Sequence, residues 1–165
     1  MTDRGDLPIV KRDESYEQFY RREYRRLVGL AYVLSGSRNG AEDLAQEALA
    51  AAFRQWDRIG NPGAWARRVV ANQSVSQIRR MIVESKGLKR LAGMSRGPLP
   101  GIGTEAEEVW DAVRRLPKRQ AQSVALFYLE DLPLEEIAGI LDCSVGSVKT
   151  HLKRARQTLA RQRDI

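Results

Sequence analysis

The chain has 165 residues, with 28 Lys or Arg against 21 Asp or Glu, and its formal net charge is +7. This length allows one or two small domains, and a hydrophobic content of 42% argues against a wholly disordered chain. No apolar run approaches the roughly 18 residues that cross a membrane, and the polar segment 1–15 does not resemble a signal peptide. A single Cys excludes an intrachain disulfide and a Cys-rich metal site. We therefore expect a soluble, cytoplasmic, basic protein.

Three N-cap signals divide the first part of the chain into helices. A polar side chain followed three residues later by Glu or Gln can satisfy the free N–H groups of a helix start, and proline is well accommodated in the first turn. The signals are Ser15 with Gln18, Asn39 with Glu42, and Asn61 before Pro62. They predict helices over 16–34, 41–56 and 62–83, with Gly36 as the stop of the first.

A change of composition separates the two halves of the chain. The segment 87–104 contains five Gly and two Pro and shows no sustained helical period, which is typical of a flexible linker. Beyond it, helix starts are marked by Thr104 with Glu107, Pro117, Pro133 and Ser144. The predicted fold is all-α, with two small helical bundles joined by a flexible linker. We place a flexible tail at 1–15, the first bundle at 16–83, the linker at 84–104 and the second bundle at 105–165.

The strongest local pattern spans residues 132–156. A short helix with inward apolar positions is followed by a tight turn over 142–144 and by a second helix with apolar positions facing the first. This is helix-turn-helix geometry, in which the second helix enters a DNA groove. Its outward hydroxyl and basic side chains suit base edges and phosphates: Ser147, Lys149, Thr150, Lys153, Arg154 and Arg156. An αα-hairpin with a solvated basic face is less attractive, because 145–163 holds six bases and no acid.

An acidic and amide face opposes the apolar stripe of the helix predicted over 41–56. Its members are Glu42, Asp43, Gln46 and Glu47. Such a face would repel the phosphates of a nucleic acid, and it would complement a basic protein surface. It equally suits a solvated helix whose acids lie near the N-terminus, so both interpretations stay open on this pattern.

The following helix carries a polar stripe. Its members recur at spacings of four, four and three: Arg68, Asn72, Ser76 and Arg79. Amide, hydroxyl and guanidinium groups on one face can contact bases and backbone together. Trp56 and Trp65 flank the loop over 57–61, where an aromatic ring could stack on an unpaired base. The other interpretation places both rings in the core. We favour a core position for Trp65, and for Trp56 we keep the core and the base-stacking interpretations as equal alternatives.

No residue pattern points to catalysis. The chain has one His, no metal-ligand cluster, no phosphate-binding Gly loop and no nucleophile–base arrangement. His151 lies among the bases of the last helix, where we expect it to be exposed or to face phosphate. We therefore expect a protein that is not an enzyme and uses neither cofactor nor metal.

These parts, in this order, resemble a bacterial RNA polymerase sigma factor of the extracytoplasmic-function (ECF) type. The resemblance is carried by AEDLAQEALAAAFRQWDRI, by NPGAWARRVVANQSVSQIRR and by RLPKRQAQSVALFYLEDLPLEEIAGILDCSVGSVKTHLKRARQTL. It assigns 16–83 to the family's domain two and 105–165 to its domain four. Two departures are Ser144, where many relatives carry Pro, and the loop over 58–61, which matches no single pattern and leaves the minus-ten preference undetermined.

The resemblance implies a transcription initiation factor that binds core RNA polymerase and directs it to promoters. The face that docks on the clamp helices of the β′ subunit would be formed by Asp43, Leu44, Gln46 and Glu47. Domain four would lie on the β flap, and the linker would run toward the active-site cleft. An anti-sigma protein between the two domains would be the usual further partner.

The resemblance also divides promoter recognition between the domains. Groups that would surround a flipped minus-ten base, or hold the adjoining strand, are Trp56, Asp57, Arg58, Ile59, Gly60, Asn61, Arg68, Asn72, Ser76, Arg79 and Arg80. Groups that would contact the minus-thirty-five element are Lys149, Thr150 and Lys153 at the bases and Gly146, Ser147, Arg154 and Arg156 at the backbone. The competing functions are a stand-alone helix-turn-helix regulator that does not depend on polymerase binding, and an interaction module that occupies the clamp without binding a promoter.

Overall fold

The computed structural model describes residues 7, 9, 13–88 and 102–163. Within 13–88 it describes side chains as far as Val75 and the backbone alone beyond it. Every regular element in these residues is helical, as the sequence predicts. The first three helices are α1 (Tyr16–Ser35), α2 (Arg38–Arg54) and α3 (Pro62–Leu88), with a short 3₁₀ turn at Trp56–Arg58. The others are α4 (Thr104–Arg114), α5 (Lys118–Val124), α6 (Leu134–Leu141) and α7 (Val145–Arg163), with a π-helical turn at Ala125–Leu129 after α5.

Both ends of α1 follow the predicted signals. The Ser15 hydroxyl accepts the Gln18 N–H at 3.2 Å, and the Gln18 side chain accepts the Ser15 N–H at 3.0 Å, so the capping box is confirmed. Gly36 ends the helix with φ +73°, and its N–H donates to the Tyr32 carbonyl at 2.7 Å. Glycine is favoured here because a left-handed backbone is strained for residues with a side chain.

Of the two other helix caps predicted in the first bundle, one is confirmed and one is wrong. Asn61 caps α3 as expected, its side-chain oxygen accepting the Ala64 N–H at 3.2 Å. Asn39 does not cap α2. The cap is Ser37, whose hydroxyl accepts the Gly40 N–H at 3.1 Å, so the helix starts three residues earlier than predicted. Both Ser and Asn are good caps, and the pattern of side chains could not choose between them.

Four further boundaries differ from the prediction. Helix α2 ends at Arg54 instead of continuing to Trp56, and α3 continues beyond Val83 to Leu88. Helix α4 is capped by the backbone at Gly103, and Thr104 is already its first residue. The helix that starts after Pro117, which the sequence predicts to continue from Lys118 to Leu129, changes to π geometry after Val124. An isolated Gly costs a helix only about 1 kcal/mol relative to Ala, so Gly87 does not stop α3.

The two bundles share one contiguous core. In the first, α1, α2 and α3 bury Leu27, Leu49 and Val70; in the second, α4 to α7 bury Leu126 and Ile137. Helices α1 and α3 also pack on the second bundle, against α4, α6 and the π turn. The described residues therefore form two helical bundles in direct contact.

Candidate nucleic-acid and protein interfaces

Helix α7 presents a basic face beside the helix-turn-helix. Val148, Leu152 and Ala155 are buried, so the opposite side of the helix faces solvent. The Ser144 hydroxyl caps α7 by accepting the Ser147 N–H at 3.0 Å, as predicted. The predicted base-reading residues Lys149, Thr150 and Lys153 are all exposed. Of the predicted backbone-contacting residues, Gly146, Arg154 and Arg156 are exposed and Ser147 is half-buried. The Thr150 hydroxyl donates to the Gly146 carbonyl at 3.0 Å.

The turn between α6 and α7 is tight and geometrically defined. Asp142 has φ +52°, a left-handed conformation that Asp tolerates better than most residues. The Cys143 N–H donates to the Ala138 carbonyl at 3.0 Å, and the Ser144 carbonyl accepts the Val148 N–H at 3.1 Å. The turn therefore delivers the chain directly into α7 and fixes how this helix crosses α6.

Arg156 has partners within the second bundle. Its Nε donates to the Tyr128 hydroxyl at 2.7 Å, and its guanidinium carbon lies 5.8 Å and 5.7 Å from the ring centres of Phe127 and Tyr128. Such cation–π contacts hold a guanidinium in place while leaving it charged. Arg156 is thus a pre-positioned cation on the surface near the predicted backbone-contacting residues.

Arg119 on α5 lies close enough to His151 of α7 for its charge to act on the imidazole, although the sequence pattern did not indicate this residue. Burial, followed by the charges of Arg119 and Arg154, lowers the pKa of His151 below 6.5, so its imidazole is neutral at pH 7. Burial also raises the pKa of the Cys143 thiol, which therefore stays protonated at neutral pH. Because the thiolate is the nucleophilic form, the raised pKa disfavours nucleophilic chemistry at Cys143.

The predicted acidic face lies on α2. Asp43, Gln46 and Glu47 are exposed, whereas Leu44 is only 4% exposed and packs in the core. Leu44 therefore supports the face from beneath and offers little surface to a partner. The sequence missed Tyr20, whose hydroxyl lies 3.0 Å from the Gln46 amide nitrogen and whose ring stacks on Tyr24. The signal for it was present as Tyr at four-residue spacing in α1.

The predicted base-capturing loop is only partly exposed. Asp57 and Arg58 are exposed, Gly60 and Asn61 are half-buried, and Ile59 is 8% exposed and belongs to the core. Trp56 is half-buried, with its ring centre 5.5 Å from that of Tyr16 and 5.2 Å from that of Phe19. The ring is thus fixed from within the bundle while part of it reaches the surface; Trp65 is also half-buried against the core.

The polar stripe of α3 meets the second bundle. Arg68 donates to the carbonyls of Ile140, at 3.1 Å, and of Gly139. Asn72 accepts a hydrogen bond from Gln122 at 3.2 Å. The side chains of Ser76 and Arg79, which complete the stripe, lie outside the described residues, as does that of the neighbouring Arg80.

Two family models match the chain in the predicted order. The model of sigma-70 region 2 matches residues 19–81, and that of sigma-70 region 4 matches residues 106–159. The sequence is 30% identical over 139 residues to the ECF RNA polymerase sigma factor EcfG of Rhodopseudomonas palustris, covering 81% of this chain and 77% of that protein. The chain belongs to the ECF RNA polymerase sigma factors. This sigma factor is thus a promoter-directing subunit of RNA polymerase, and the stand-alone regulator is not favoured.

Further relatives agree with this membership. The sigma factor is 29% identical over 154 residues to the ECF RNA polymerase sigma factor SigW of Bacillus subtilis, covering 83% of this chain and 82% of that protein. Its fold resembles that of the sigma factor RpoE from Bartonella quintana, which was solved in complex with the anti-sigma factor NepR. The TM-score is 0.70 at 23% identity, over 91% of this chain and 97% of that one. The all-α, two-bundle prediction is confirmed.

Two kinds of feature are absent from the part of the chain that the structure describes. No helix there is both long and apolar enough to span a membrane. Among the same residues, no group of three or more His, Cys, Asp or Glu side chains is arranged to hold a metal ion.

Proposed function

We propose that the sigma factor divides its work between two faces of opposite charge. The exposed carboxylates of α2, Asp43 and Glu47, dock on a basic surface of core RNA polymerase, the β′ clamp helices. The exposed bases of α7, Lys149 and Lys153, enter the major groove of the minus-thirty-five element. The observation that supports this division is that both faces are exposed and lie on different bundles.

In this proposal, the first bundle binds the minus-ten element. Trp56, the exposed end of the 57–61 loop, and the polar stripe of α3 receive a flipped base and the strand that follows it. Capture of a base can offset unpairing, which costs a few kcal/mol. Domain two then corresponds to 16–83, the linker to 84–104 and domain four to 105–165, with domain four also lying on the β flap.

The mechanism is non-catalytic. Each contact with polymerase or promoter raises the effective concentration of the next, because the two bundles belong to one chain. The polymerase supplies the chemistry, and we place the protein with it in the cytoplasm. An anti-sigma protein that covers these faces is a further candidate partner, since the RpoE structure holds one.

The first test is co-elution of the purified chain with core RNA polymerase in a one-to-one ratio without DNA. Asp43→Lys/Glu47→Lys should abolish the complex while helicity is unchanged. The matched control is Asp13→Lys/Glu17→Lys, which makes the same charge change at two exposed carboxylates near the start of α1. Survival of the complex in the first variant, or equal loss in both, would contradict the clamp assignment.

The second arm tests α7. Lys149→Ala/Lys153→Ala should weaken promoter-dependent transcription while polymerase binding is retained, because these side chains are exposed and support no core contact. The matched control, Arg161→Ala/Arg163→Ala, removes two exposed bases from the last turn of the same helix. Equal loss of polymerase binding and transcription in the first variant would make α7 a structural element instead.

A further inference from the structure

Arg156 on α7 is held by two neighbouring aromatic side chains of the π turn. Its Nε donates to the Tyr128 hydroxyl at 2.7 Å, and its guanidinium carbon lies 5.8 Å from the ring centre of Phe127 and 5.7 Å from that of Tyr128. The two rings meet edge to face, with their centres 4.9 Å apart. One hydrogen bond and two cation–π contacts therefore fix the place of this guanidinium on the surface.

The groups that hold Arg156 are neutral. Within the part of the chain that the structure describes, no carboxylate forms an ion pair with it. Arg67, by contrast, is paired with the carboxylates of Glu23 and Glu130. A cation held by a hydroxyl and by ring faces keeps its charge uncompensated for an external anion. The hydrogen bond uses Nε, so both Nη amino groups remain available as donors.

Arg156 shares a face with the exposed bases of α7. Lys149, Lys153 and Arg156 follow one another at spacings of four and three residues, which places them on one side of the helix. All three side chains are exposed, and 145–163 contains no acid. A polyanion that lies along this face would therefore meet Arg156 in line with the two lysines.

The tyrosine that holds Arg156 is itself on the surface. Tyr128 is 53% exposed, so its contact with Arg156 lies outside the hydrophobic core. The π turn, Ala125–Leu129, closes where the Glu130 N–H donates to the Ala125 carbonyl at 3.3 Å. Single π turns of this kind occur frequently at functional sites. The turn thus presents two adjacent rings to α7 while one of them stays exposed.

We propose that Phe127 and Tyr128 position Arg156 to bind a phosphate of the DNA backbone beside the minus-thirty-five element. The inference rests on the proposed function, because it uses the entry of α7 into the major groove. Arginine suits this ligand, since its planar fork of N–H donors matches the oxygens of a phosphate. A guanidinium that is held before binding loses less side-chain freedom on binding, so the contact gains affinity from preorganisation.

A protein ligand is the competing occupant of the same side chains. Arg156 and Tyr128 also line an apolar cavity of about 380 Å³ between α4, the π turn and α7. A segment of the polymerase in that cavity would use Arg156 as a protein contact. The phosphate is favoured because an apolar cavity has no need of an uncompensated cation at its edge, whereas the line through Lys149 and Lys153 suits a polyanion.

The experiment uses holoenzyme assembled from the full chain and core RNA polymerase. Its probe is a labelled duplex that the wild-type holoenzyme enriches from a pool of randomised sequence, and the Kd is measured over a range of KCl concentrations. Arg156→Gln should reduce the slope of log K against log salt by about 0.9, the value for one phosphate contact. Tyr128→Phe removes only the hydroxyl and should weaken binding about threefold to tenfold, the range of one net hydrogen bond.

The two side chains should act as one unit. In the Arg156→Gln background, Tyr128→Phe should change the Kd by less than about twofold, because the cation that the hydroxyl positions is gone. Arg156→Lys keeps the charge and loses the planar fork, so it should keep the salt slope while weakening binding.

Each substitution has a matched control. Arg161→Gln removes an exposed charge from the last turn of α7, and Tyr24→Phe removes the hydroxyl of a half-buried tyrosine on α1. Neither control should change the Kd for the duplex by more than about twofold, since both positions lie away from the aligned bases. Circular dichroism and co-elution with core polymerase are measured for every variant.

Three results would overturn the proposal. The first is a salt slope in Arg156→Gln equal to that in Arg161→Gln. The second is a Tyr128→Phe variant with the affinity of Tyr24→Phe, or an effect of Tyr128→Phe that adds in full to that of Arg156→Gln. The third is loss of polymerase binding in a folded Arg156→Gln variant, which would assign the residue to the apolar cavity and a protein partner.

Two safeguards keep these outcomes separate. If Arg156→Gln loses helicity, Arg156→Lys and Tyr128→Phe decide, and unchanged duplex affinity in both would contradict the proposal. Failure of the proposed function is seen in the wild type, as absence of a holoenzyme or of any enriched duplex, and it would remove the basis of this inference as well.

Discussion

Replacement of Arg67 by Met tests the buried charge network that Arg67 on α3 forms with Glu23 on α1 and with Glu130, the residue after the π turn. The substitution keeps most of the side-chain length and removes the charge, together with its contacts to Glu23, Glu130 and the Gly63 carbonyl. Glu23 and Glu130, which are 3% and 5% exposed, then lose the buried cation that lies between them. Each keeps only a half-exposed arginine, Arg22 at 3.1 Å from Glu23 and Arg26 at 3.3 Å from Glu130. Removing one partner of a buried ion pair costs about 3–5 kcal/mol. Because a domain is typically stable by about 5–15 kcal/mol, we expect Arg67→Met to lower the midpoint of urea unfolding markedly.

Arg21→Met is the matched control. Arg21 lies 2.7 Å from Glu17, but both side chains are more than 70% exposed. Exposed pairs contribute about 0–1 kcal/mol, so the same substitution should barely move the midpoint. Circular dichroism reports the whole chain, and in a Trp110→Phe background the fluorescence of Trp56 and Trp65 reports the first bundle, so unfolding in two steps would be visible.

The network should also respond to complete replacement. Arg67→Met/Glu23→Leu/Glu130→Leu exchanges the buried ions for apolar groups, and such exchanges are often neutral or stabilising. We expect the triple variant to recover much of the stability lost by Arg67→Met. A loss below about 1 kcal/mol for Arg67→Met alone would refute the reasoning, because it would mean that water already screens these charges.

Two further predictions concern titrating groups. The chain has a single His, so its imidazole proton signals are assigned at once; their midpoint should lie below pH 6.5, and Arg119→Gln should move it upward by removing one of the cations that lower the pKa of His151. A midpoint that Arg119→Gln leaves unchanged would contradict the contribution of Arg119 to the lowered pKa of His151. Burial and the hydrogen bond to Glu107 raise the pKa of Tyr32 from 10.0 to about 12. A raised pKa contributes stability below pH 10 that is lost as pH rises toward 12, so Tyr32→Phe should remove that part of the alkaline decline in unfolding free energy; an unchanged decline would contradict the assignment.

Features encoded within a few residues could be predicted from the sequence. The Ser15 capping box, the Asn61 cap and the turn before α7 depend on side chains that reach only three or four residues. The wrong cap, Asn39 in place of Ser37, arises at the same scale, because two suitable residues lie close together. The π turn after Val124 has no comparable local signal, and we have no physical account of its onset.

Contacts between the bundles could not be predicted in this way. Arg67 and Arg68 are adjacent in the sequence, and their order gives no sign that the first is buried against Glu130, 63 residues away. Leu44 is a different case: its spacing places it on the apolar stripe of α2 and it is buried in the core, whereas only the family resemblance counted it with the docking face. Periodicity states which residues share a face, whereas the partner of that face depends on how the bundles pack.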